Sequence, residues 1–507
     1  MTYEDEPAHI ITIDDVTLDN LVNDWKYGHL WNSDPFGYKI ENVSTDPKVI
    51  FIDKNEMPFT PSPDFFYNHE LFRWTKCLLS ESGVPTDGKD RIGSDLDRTG
   101  AAGDVMTYIP NGQYSYKWEP DADVQIYKYA PYYSNHRGFD FHPQCYAGGG
   151  TKRDHYYIGT YLAGLKDDNG ILKFNSCAGV QPWAGGQMRS VPFTTGNTIF
   201  TVGETITGAT SGATGTVVSF HTTSGDWSAG TAVGVVYIRN YGVDASTATA
   251  FANGETLSRT SGSAVTSGTS TVLPLTMDNA LTYARNKGDG WTISNVYSIS
   301  WIQGLLYAQW LTRDSQTATG QGVVNLPSGA GYAGLLNGAN NVDLNLNAYG
   351  TGMGDGVNGA TPVEINNICD LYGGCWQFVA GINCFADGTY RLTKPDGTGS
   401  IAGTLAAGSY IDGVGKLPLI DGYVSSVKRD PLGAITWMPS TSGDVNSGST
   451  KGLCDYWYYP RNNPSIVLSG GYWPSGLDAG VSSRNAYYAP SSSSRNIGAR
   501  LEYNLQK

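Results

Sequence analysis

Apolar residues recur at steps of three and four positions between Ile293 and Leu311, the clearest periodic pattern in the chain. This spacing predicts a helix with one apolar face, formed by Val296, Ile299, Ile302, Leu305, Leu306 and Trp310. A shorter segment, 277–286, predicts a second helix. Elsewhere, short apolar runs such as 156–162 alternate with glycine-rich turns and predict strands. Long Gly/Asn loops are expected at 327–360 and 387–415.

Residues 194–273 differ from their flanks in a high content of Thr, Ser, Gly and Val. They also contain a repeat, since the segment FTVGETI at 200–206 recurs as FANGETL at 251–257. Between the two copies, 232–238 has the composition of a strand. Short β-rich runs at this spacing predict a small sandwich or barrel inserted into another domain. A flexible Gly/Ser linker is the alternative, and the Phe and Val content argues against it.

The composition is that of a loop-rich β protein with few charges. Charged residues make up 16% of the 507 residues, against roughly 25% in average proteins, whereas Gly (64) and Tyr (33) are abundant. The formal net charge is −14 and no Lys/Arg cluster is visible, which argues against a nucleic-acid partner. At this length two or three domains are expected.

The sequence shows neither a membrane-spanning segment nor the apolar core of a signal peptide. No apolar run is long enough to cross a bilayer, so membrane insertion is not expected. The acidic N-terminus, MTYEDEPAHIITIDD, has no signal-peptide core. The seven cysteines are irregularly spaced, which favours buried thiols made in a reducing cytoplasm. A Cys369–Cys375 or Cys375–Cys384 disulfide is the alternative.

Residues 465–501 combine two apolar anchors with a polar stretch. The segments 466–468 and 497–501 predict strands, and between them Ser, Tyr, Asn and Gly predominate, with no Lys or Glu. Rigid aromatic area combined with adaptable hydrogen-bonding groups is typical of a paratope. The stretch therefore predicts a display surface on a rigid frame. A plain surface loop at the end of a β domain is the alternative.

Several sequence pieces carry a resemblance to a known family. Residues 369–379, CDLYGGCWQFV, are similar to the Asp-Leu/Met-x-Gly-Asn-x-Trp-Glu-Trp-Val stretch of the formylglycine-generating-enzyme branch of C-type-lectin-like folds. The C-terminal frame, LSGGYW followed by IGARL, resembles that branch's Arg-Gly-Gly-Ser-Trp … Gly-Phe-Arg ending. Further matches lie at 36–40, 44–47, 103–110, 157–161 and 283–291. In this order the pieces resemble phage and prophage tail-fibre proteins with a lectin-like C-terminus, several of which are variable proteins of diversity-generating retroelements.

The resemblance implies an α+β fold. A C-type-lectin-like domain, with a short twisted antiparallel sheet, two helices and long loops, would be interrupted by a small all-β module. The implied division is an attachment segment at 1–34, the discontinuous lectin-like domain at 35–193 and 274–507, and the inserted module at 194–273. Within the lectin-like domain, 465–501 would be the variable, ligand-binding stretch.

The resemblance also implies which side chains of that stretch face a ligand. They are Tyr472, Trp473, Ser475, Asp478, Ser482, Ser483, Arg484, Asn485, Tyr487, Tyr488, Ser492, Ser494, Arg495 and Asn496. Gly470, Gly471, Gly480, Gly498 and Leu501 would form the frame. For Trp473, exposure and burial are equally good interpretations, because a Trp after two glycines at a strand end also suits a core. Trp376 is expected in the core.

Departures from the family and weak motifs argue against catalysis and against a cofactor. The enzymatic branch uses cysteines near its C-terminus, but none lies in 455–507. The calcium motifs of sugar-binding lectins are missing, although a structural calcium ion near Asp387 or Asp396 stays open. His136, Asp140 and His142 can be drawn as a metal cluster, but ordinary loop and core histidines are favoured. No metal and no catalytic residue is therefore predicted.

These observations favour a virion-attached receptor-binding protein, a tail or head fibre synthesised in the host cytoplasm. It would bind a host cell-surface protein or glycan through the loop at 472–496, contact other virion proteins and form a homotrimer. A minor capsid, decoration or tail-tip protein, whose loop contacts a neighbouring subunit, is the first alternative. A glycan-degrading tail enzyme is the second, and it needs a carboxylate pair across a groove.

Overall fold

The computed structural model describes residues 34–41, 49–88, 96–134, 136–147, 149–179, 182–186, 188–240, 248–326, 351–352, 359, 362–443 and 453–504. All but residue 34 of the attachment segment predicted at 1–34, and most of the loop predicted at 327–360, lie outside these residues. Strand residues far outnumber helical ones in the described part of the chain. The predicted α+β, two-helix lectin-like class is therefore wrong, and the fold is mainly β.

Two antiparallel sheets contain most strands of the first 160 residues. A five-stranded sheet contains, in spatial order, Val49–Asp53, Phe36–Glu41, Val124–Pro131, Gly112–Glu119 and Asp140–Phe141. A six-stranded sheet contains Trp291–Ile293, Leu501–Tyr503, His155–Gly159, Asp104–Pro110, Thr75–Leu79 and Pro85–Gly88. The second sheet joins Leu501–Tyr503 to segments from the first third of the chain, so this strand is fixed within the core.

The largest sheet carries the C-terminal region. Its strands are, in order, Tyr410–Asp412, Tyr390–Thr393, Trp376–Cys384, Ser465–Ser469, Arg484–Asn485, Tyr456–Tyr458 and Gly422–Tyr423, with Ile497–Gly498 parallel to Trp376–Cys384. Smaller pairings are Gly164–Asp168 with Ile171–Asn175, Ser426–Val427 with Pro439–Thr441, and Thr351–Gly352, Glu364–Ile365 and Ile368–Cys369.

Five α-helices lie in the described residues: α1 Pro63–Asn68, α2 Met277–Arg285, α3 Val296–Trp310, α4 Ser315–Thr319 and α5 Pro431–Ile435. Short 3-10 turns span Glu70–Phe72, Pro143–Tyr146 and Gly476–Asp478. Both predicted helices are present as α2 and α3. The start of α3 is fixed by Asn295, whose side chain accepts from the N–H groups of Tyr297 and Ser298 in a capping box.

Helix α3 is buried on nearly all sides, and only Trp310 at its end is partly exposed. The helix therefore occupies the interior between sheets instead of lying on a surface with one polar face. Its Trp301 side chain donates to the Pro110 carbonyl (2.9 Å), and Gly304 leaves room for the Tyr129 ring.

The Gly-Glu-Thr repeat lies in a closed six-stranded barrel. Its strands are Ala232–Arg239, Thr214–Ser224, Thr205–Gly208, Thr256–Ser258, Ser263–Thr266 and Met188–Gly196, and the last pairs with the first to close the barrel. Thr271–Leu273 adds to Met188–Gly196 on the outside. The division of the chain into domains stays a prediction.

Each copy of the repeat forms the same turn. Phe200 and Phe251 are buried in the barrel core, and the glycines that follow, Gly203 and Gly254, have φ of 90° and 77°, which favours glycine. In each copy the next residue is a glutamate that accepts from the backbone N–H three positions earlier, at 2.8 Å for Glu204 and 2.6 Å for Glu255.

Replacing Glu255 with alanine should lower the free energy of unfolding of the barrel by about 2 kcal/mol. The buried Glu255 carboxylate also accepts from Thr210 N (3.0 Å), Ser211 N (2.8 Å) and Ser211 Oγ (2.8 Å), and hydrogen bonds to a charged acceptor contribute about 1.5–3 kcal/mol. Hydrogen exchange of barrel amides would measure the change. Thr256→Ala, at the exposed neighbouring position, is the control, and equal effects of both substitutions would contradict the prediction.

Candidate functional site

An aromatic surface forms at the strand Tyr456–Tyr458 of the C-terminal sheet. Side chains alternate along a strand, so Trp457 enters the core, where its indole N–H donates to the Pro418 carbonyl (3.1 Å). Tyr456 and Tyr458 remain partly exposed on the opposite side, with ring centroids 4.7 Å apart. The sequence Tyr-Trp-Tyr in one short strand therefore places two tyrosines side by side.

The carboxylate of Asp478 connects this strand to the C-terminal loop. Asp478 accepts from the Tyr423 hydroxyl (2.7 Å) and from the Tyr458 hydroxyl (3.3 Å). Burial raises the pKa of Asp478, and the two hydroxyl donors partly offset this effect. Leu477, the preceding residue, is 53% exposed.

Tyr472 extends the aromatic surface. Its ring stacks on Trp376 at a centroid distance of 6.3 Å, and the Tyr458 ring meets Trp376 edge-on at 5.9 Å. Trp376 is in the core, as expected. Backbone and side-chain bonds between Tyr472 and Ser475, both 2.9 Å, close the turn that carries Tyr472. We call Tyr456, Tyr458, Tyr472, Leu477 and Asp478 the tyrosine face.

A second exposed group lies near the end of the same strand. The Arg461 guanidinium packs on the rings of Tyr459 (4.5 Å) and Tyr487 (4.7 Å) and forms an ion pair with Asp421 (2.8 Å). Tyr487 is 43% exposed and contacts the Tyr488 ring at 5.3 Å. Stacked arginine and tyrosine side chains present both charge and flat apolar area to a partner.

The structure separates the ligand-facing residues predicted from the sequence into three groups. Tyr472, Ser475 and Asp478 lie at the tyrosine face, and Tyr487 and Tyr488 lie beside Arg461. The half-buried residues Ser492, Ser494, Arg495 and Asn496 form a third group, in which Arg495 packs over the Trp473 ring (5.8 Å). Whether any of these residues binds a ligand stays a prediction.

The structure buries the other five residues. Exposure was wrongly expected for Ser482, Ser483, Arg484 and Asn485, whereas burial of Trp473 was one of the two interpretations left open. Arg484 and Asn485 form a strand that pairs with Leu468–Ser469 on one side and with Trp457–Tyr458 on the other. The Arg484 guanidinium donates to the Val481 carbonyl (2.7 Å) and to Gln303 of α3 (2.7 Å). These polar residues form the frame of the site, because their polar groups find partners inside the protein.

Buried Asp455 anchors this frame. Its carboxylate accepts from Ser482 N (2.8 Å) and Ser482 Oγ (2.5 Å). A Cβ on Gly480 would lie 2.1 Å from the same carboxylate, so glycine is required there. Burial raises the pKa of Asp455 to about 7, although the Ser482 bonds lower it.

The Asp455→Asn variant should lose less stability than the wild type as the pH rises. A carboxyl whose pKa is raised in the folded state contributes stability below its unfolded pKa, near 3.9, and loses that contribution as pH rises through the folded value of about 7. Between these values, the free energy of unfolding of the wild type should fall relative to the variant by up to about 1.4 kcal/mol per pH unit. Urea unfolding of both proteins at pH 5, 6, 7 and 8 measures the difference, and parallel curves would contradict the prediction.

The sequence interpretation missed the surface residues Tyr456, Tyr458 and Arg461, and it missed the buried Tyr423 that donates to Asp478. The signal for the two strand tyrosines is the run of four aromatic residues at 456–459, which favours a strand. In a strand, Tyr456 and Tyr458 lie on the same face. No sequence signal indicates that Asp478 meets Tyr423, since 55 positions separate them.

Three residues that the sequence offered as metal ligands, His142, Asp387 and Asp396, accept hydrogen bonds from nearby backbone groups. Across the described ranges, no group of three or more His, Cys, Asp or Glu side chains could hold a metal ion. His142 is buried and accepts from Gln144 N (3.2 Å), and burial lowers its pKa to about 3. Asp387 and Asp396 each accept from the N–H and the hydroxyl of the threonine two positions later.

All seven cysteines lie in the described residues, and all are thiols; six are buried and Cys454 is half-buried. The alternative disulfides Cys369–Cys375 and Cys375–Cys384 are therefore wrong. Burial raises the pKa of the Cys375 thiol to about 12. In the part of the chain that the structure describes, no helix is long and apolar enough to cross a membrane.

Comparison with known proteins does not assign the chain to a family. No protein-family model matches the chain, and no curated protein sequence matches it. Among solved structures, it is similar to the Major Tropism Determinant U1 variant at 13% identity, and to the I1 and P3c variants at 12%. Each alignment covers 69% of this chain and 80% of the other, with a TM-score of 0.18. Such a score is too low to establish a common fold.

Proposed function

We propose that this chain is a receptor-binding protein of a phage particle, which adheres to a host cell-surface protein or glycan through the tyrosine face. The observation that carries the proposal is a group of three partly exposed tyrosines, one of which donates to the Asp478 carboxylate. Tyr456 and Tyr458 are adjacent on a strand, Tyr472 is stacked on the buried Trp376, and Asp478 accepts from Tyr458.

This arrangement suits adhesion because the face is already ordered. Tyrosine buries a large area with few rotatable bonds, and tyrosine and arginine are enriched among residues that dominate binding energy. The strand and the stacked Trp376 fix the rings before a partner arrives, which lowers the entropic cost of association. Asp478, beside Tyr458, supplies an acceptor for a hydroxyl, amide or cationic group of the partner.

We propose that the protein is a non-enzymatic homotrimer attached to other virion proteins through residues 1–34. Several copies of a weak face on one particle raise its avidity without any new contact.

Binding of fluorescently labelled protein to a panel of intact bacterial strains tests the proposal. Saturable binding to a subset of strains, displaced by excess unlabelled protein, is the expected result. If no strain binds while the protein is incorporated into phage particles, a structural role in the particle replaces the adhesion proposal.

Exposure in the assembled particle distinguishes a host contact from a subunit contact. Leu477→Cys introduces a thiol at an exposed position of the tyrosine face, and the protein's own cysteines are buried or half-buried. Rapid maleimide labelling of the variant in intact particles is expected for a host-binding face. Labelling only after particle disassembly would assign the face to a neighbouring subunit.

A further inference from the structure

The same three chemical groups meet at several exposed places on this protein: a guanidinium, one or two aromatic rings and a carboxylate. The Arg391 guanidinium lies over the rings of Phe385 (4.6 Å to the centroid) and Tyr410 (4.3 Å), and its Nε pairs with Asp412 (3.4 Å). The group at Arg461 has the same composition, with two tyrosine rings and one aspartate around the guanidinium. Each arginine therefore has both a ring surface and an opposite charge beside it.

A third case lies near the end of the strand Gly112–Glu119. The Arg429 guanidinium contacts the Trp118 ring (5.5 Å to the centroid) and donates to both carboxylate oxygens of Asp123 (2.7 and 2.9 Å). Aromatic rings attract cations through their electron-rich faces, and a carboxylate binds a guanidinium through paired hydrogen bonds. Rings and a carboxylate placed together on this protein thus repeatedly hold a guanidinium group.

The tyrosine face has the rings and the carboxylate but no basic side chain. Tyr456 and Tyr458 are adjacent, and the half-buried Asp478 accepts from the hydroxyl groups of Tyr458 and Tyr423. In the part of the chain that the structure describes, no lysine or arginine pairs with Asp478 or lies over a tyrosine ring of the face. The charge of Asp478 therefore meets only neutral donors, on a chain whose formal net charge is −14.

We propose that the tyrosine face binds a guanidinium group, which is an arginine side chain on the surface of a partner protein. The guanidinium contacts the tyrosine rings and pairs with Asp478, which completes the combination found at Arg391, Arg461 and Arg429. A guanidinium is favoured over an ammonium group because it is planar, more weakly hydrated and stacks on aromatic rings. This inference rests on the proposed function, since it names the chemistry of the partner that the face recognises.

Titration of the full-length protein with Nα-acetyl-arginine N-methylamide, followed by NMR, tests this recognition without any host cell. Nα-acetyl-citrulline N-methylamide is the matched neutral probe, because a urea group of the same shape replaces the guanidinium. The arginine probe is expected to bind at least about fivefold more tightly, because the citrulline probe lacks the cation–ring attraction and the ion pair. Equal affinities of the two probes, or no binding of the arginine probe, would overturn the inference.

A lysine probe decides between a guanidinium and an ammonium group. Nα-acetyl-lysine N-methylamide carries the same charge on a compact, strongly hydrated group, so it is expected to bind more weakly than the arginine probe. Tighter binding of the lysine probe would assign the face to an ammonium group, which an amino sugar of a glycan also carries. That result would overturn the assignment to an arginine of a protein.

Two aspartate variants locate the binding. Asp478→Asn removes the charge and keeps the side-chain shape, so the affinity of the arginine probe should fall to that of the citrulline probe. Asp412→Asn is the matched control, because this exposed carboxylate already pairs with Arg391, and it should leave the affinity unchanged. Equal affinities of the two variants for the arginine probe would overturn the inference. The comparison of probes on the wild type decides the question even if Asp478→Asn does not fold.

Failure of this inference and failure of the adhesion proposal give different results. Binding of the protein to a bacterial strain, without preference for the arginine probe over the citrulline probe, rejects the guanidinium and keeps adhesion. A preference for the arginine probe that Asp478→Asn abolishes, without binding to any strain, keeps guanidinium recognition and rejects adhesion to a host.

Discussion

Replacing both Tyr456 and Tyr458 with alanine is expected to reduce adsorption to a bound bacterial strain by a factor of about 100 or more. Hot-spot side chains contribute about 2 kcal/mol or more each when truncated, and every 1.4 kcal/mol is a tenfold change in affinity. The two rings are adjacent, and the Tyr458 hydroxyl also holds Asp478, so their loss removes contact area and leaves the carboxylate with the Tyr423 bond alone. Flow cytometry of labelled protein over a concentration series measures the loss.

Folding must be kept separate from binding in this experiment. Tyr458 packs on the buried Trp376 and Tyr456 on Tyr423, so the variant should unfold at a lower temperature than the wild type. Adsorption is therefore measured at a temperature at which thermal unfolding shows the variant to be fully folded. Tyr133→Ala is the matched control, because Tyr133 is 71% exposed and follows a strand of the five-stranded sheet. If the double variant adsorbs as well as the wild type and Tyr133→Ala, the tyrosine face is not the binding surface.

Arg500→Met is expected to lower the free energy of unfolding by about 3–5 kcal/mol, the cost of breaking a buried charged network. Arg500 is fully buried, and its guanidinium donates to five oxygens. They are Gln377 Oε1 (2.8 Å) and the carbonyls of Gly159 (2.8 Å), Thr160 (3.2 Å), Cys369 (2.7 Å) and Asp370 (2.8 Å). Methionine fills similar space but leaves these buried acceptors without their donor.

The position of the acceptors makes the effect specific to arginine. Lysine has one ammonium group in place of the planar guanidinium fork, so Arg500→Lys should recover little of the lost stability in urea unfolding. Arg391→Met is the surface control, since the Arg391–Asp412 pair is exposed and exposed ion pairs contribute about 0–1 kcal/mol. Similar losses for Arg500→Met and Arg391→Met would show that the buried network is not a main stabilising feature.

Local signals in the sequence were sufficient for some of these features. Helix α3 follows from the three- and four-residue spacing of its apolar positions, although the spacing did not reveal that its other side is also buried. In the barrel, the repeated Phe, Gly and Glu form the same turn twice, because each glutamate bonds to a backbone group only three residues away. Trp376 was recognised as core.

The fold class was misjudged because short strands resemble loops in sequence. The segment at 387–415 was expected to be a loop, yet it contributes Tyr390–Thr393 and Tyr410–Asp412 to the largest sheet. A strand of three or four residues has too few alternating positions to be distinguished from a turn, and its stability comes from partners that are distant in the chain.

The sequence by itself determined the helices, the repeat turns and the polar, tyrosine-rich character of the C-terminal stretch, since each depends on residues within a few positions of one another. Only the tertiary structure decided which of those polar residues face solvent. Ser482 and Arg484 are polar residues that the fold buries, because Asp455 and Gln303 supply their partners from distant segments. The same long-range packing brings Asp478 to Tyr423 and Tyr458, since burial and hydrogen-bond satisfaction depend on neighbours in space.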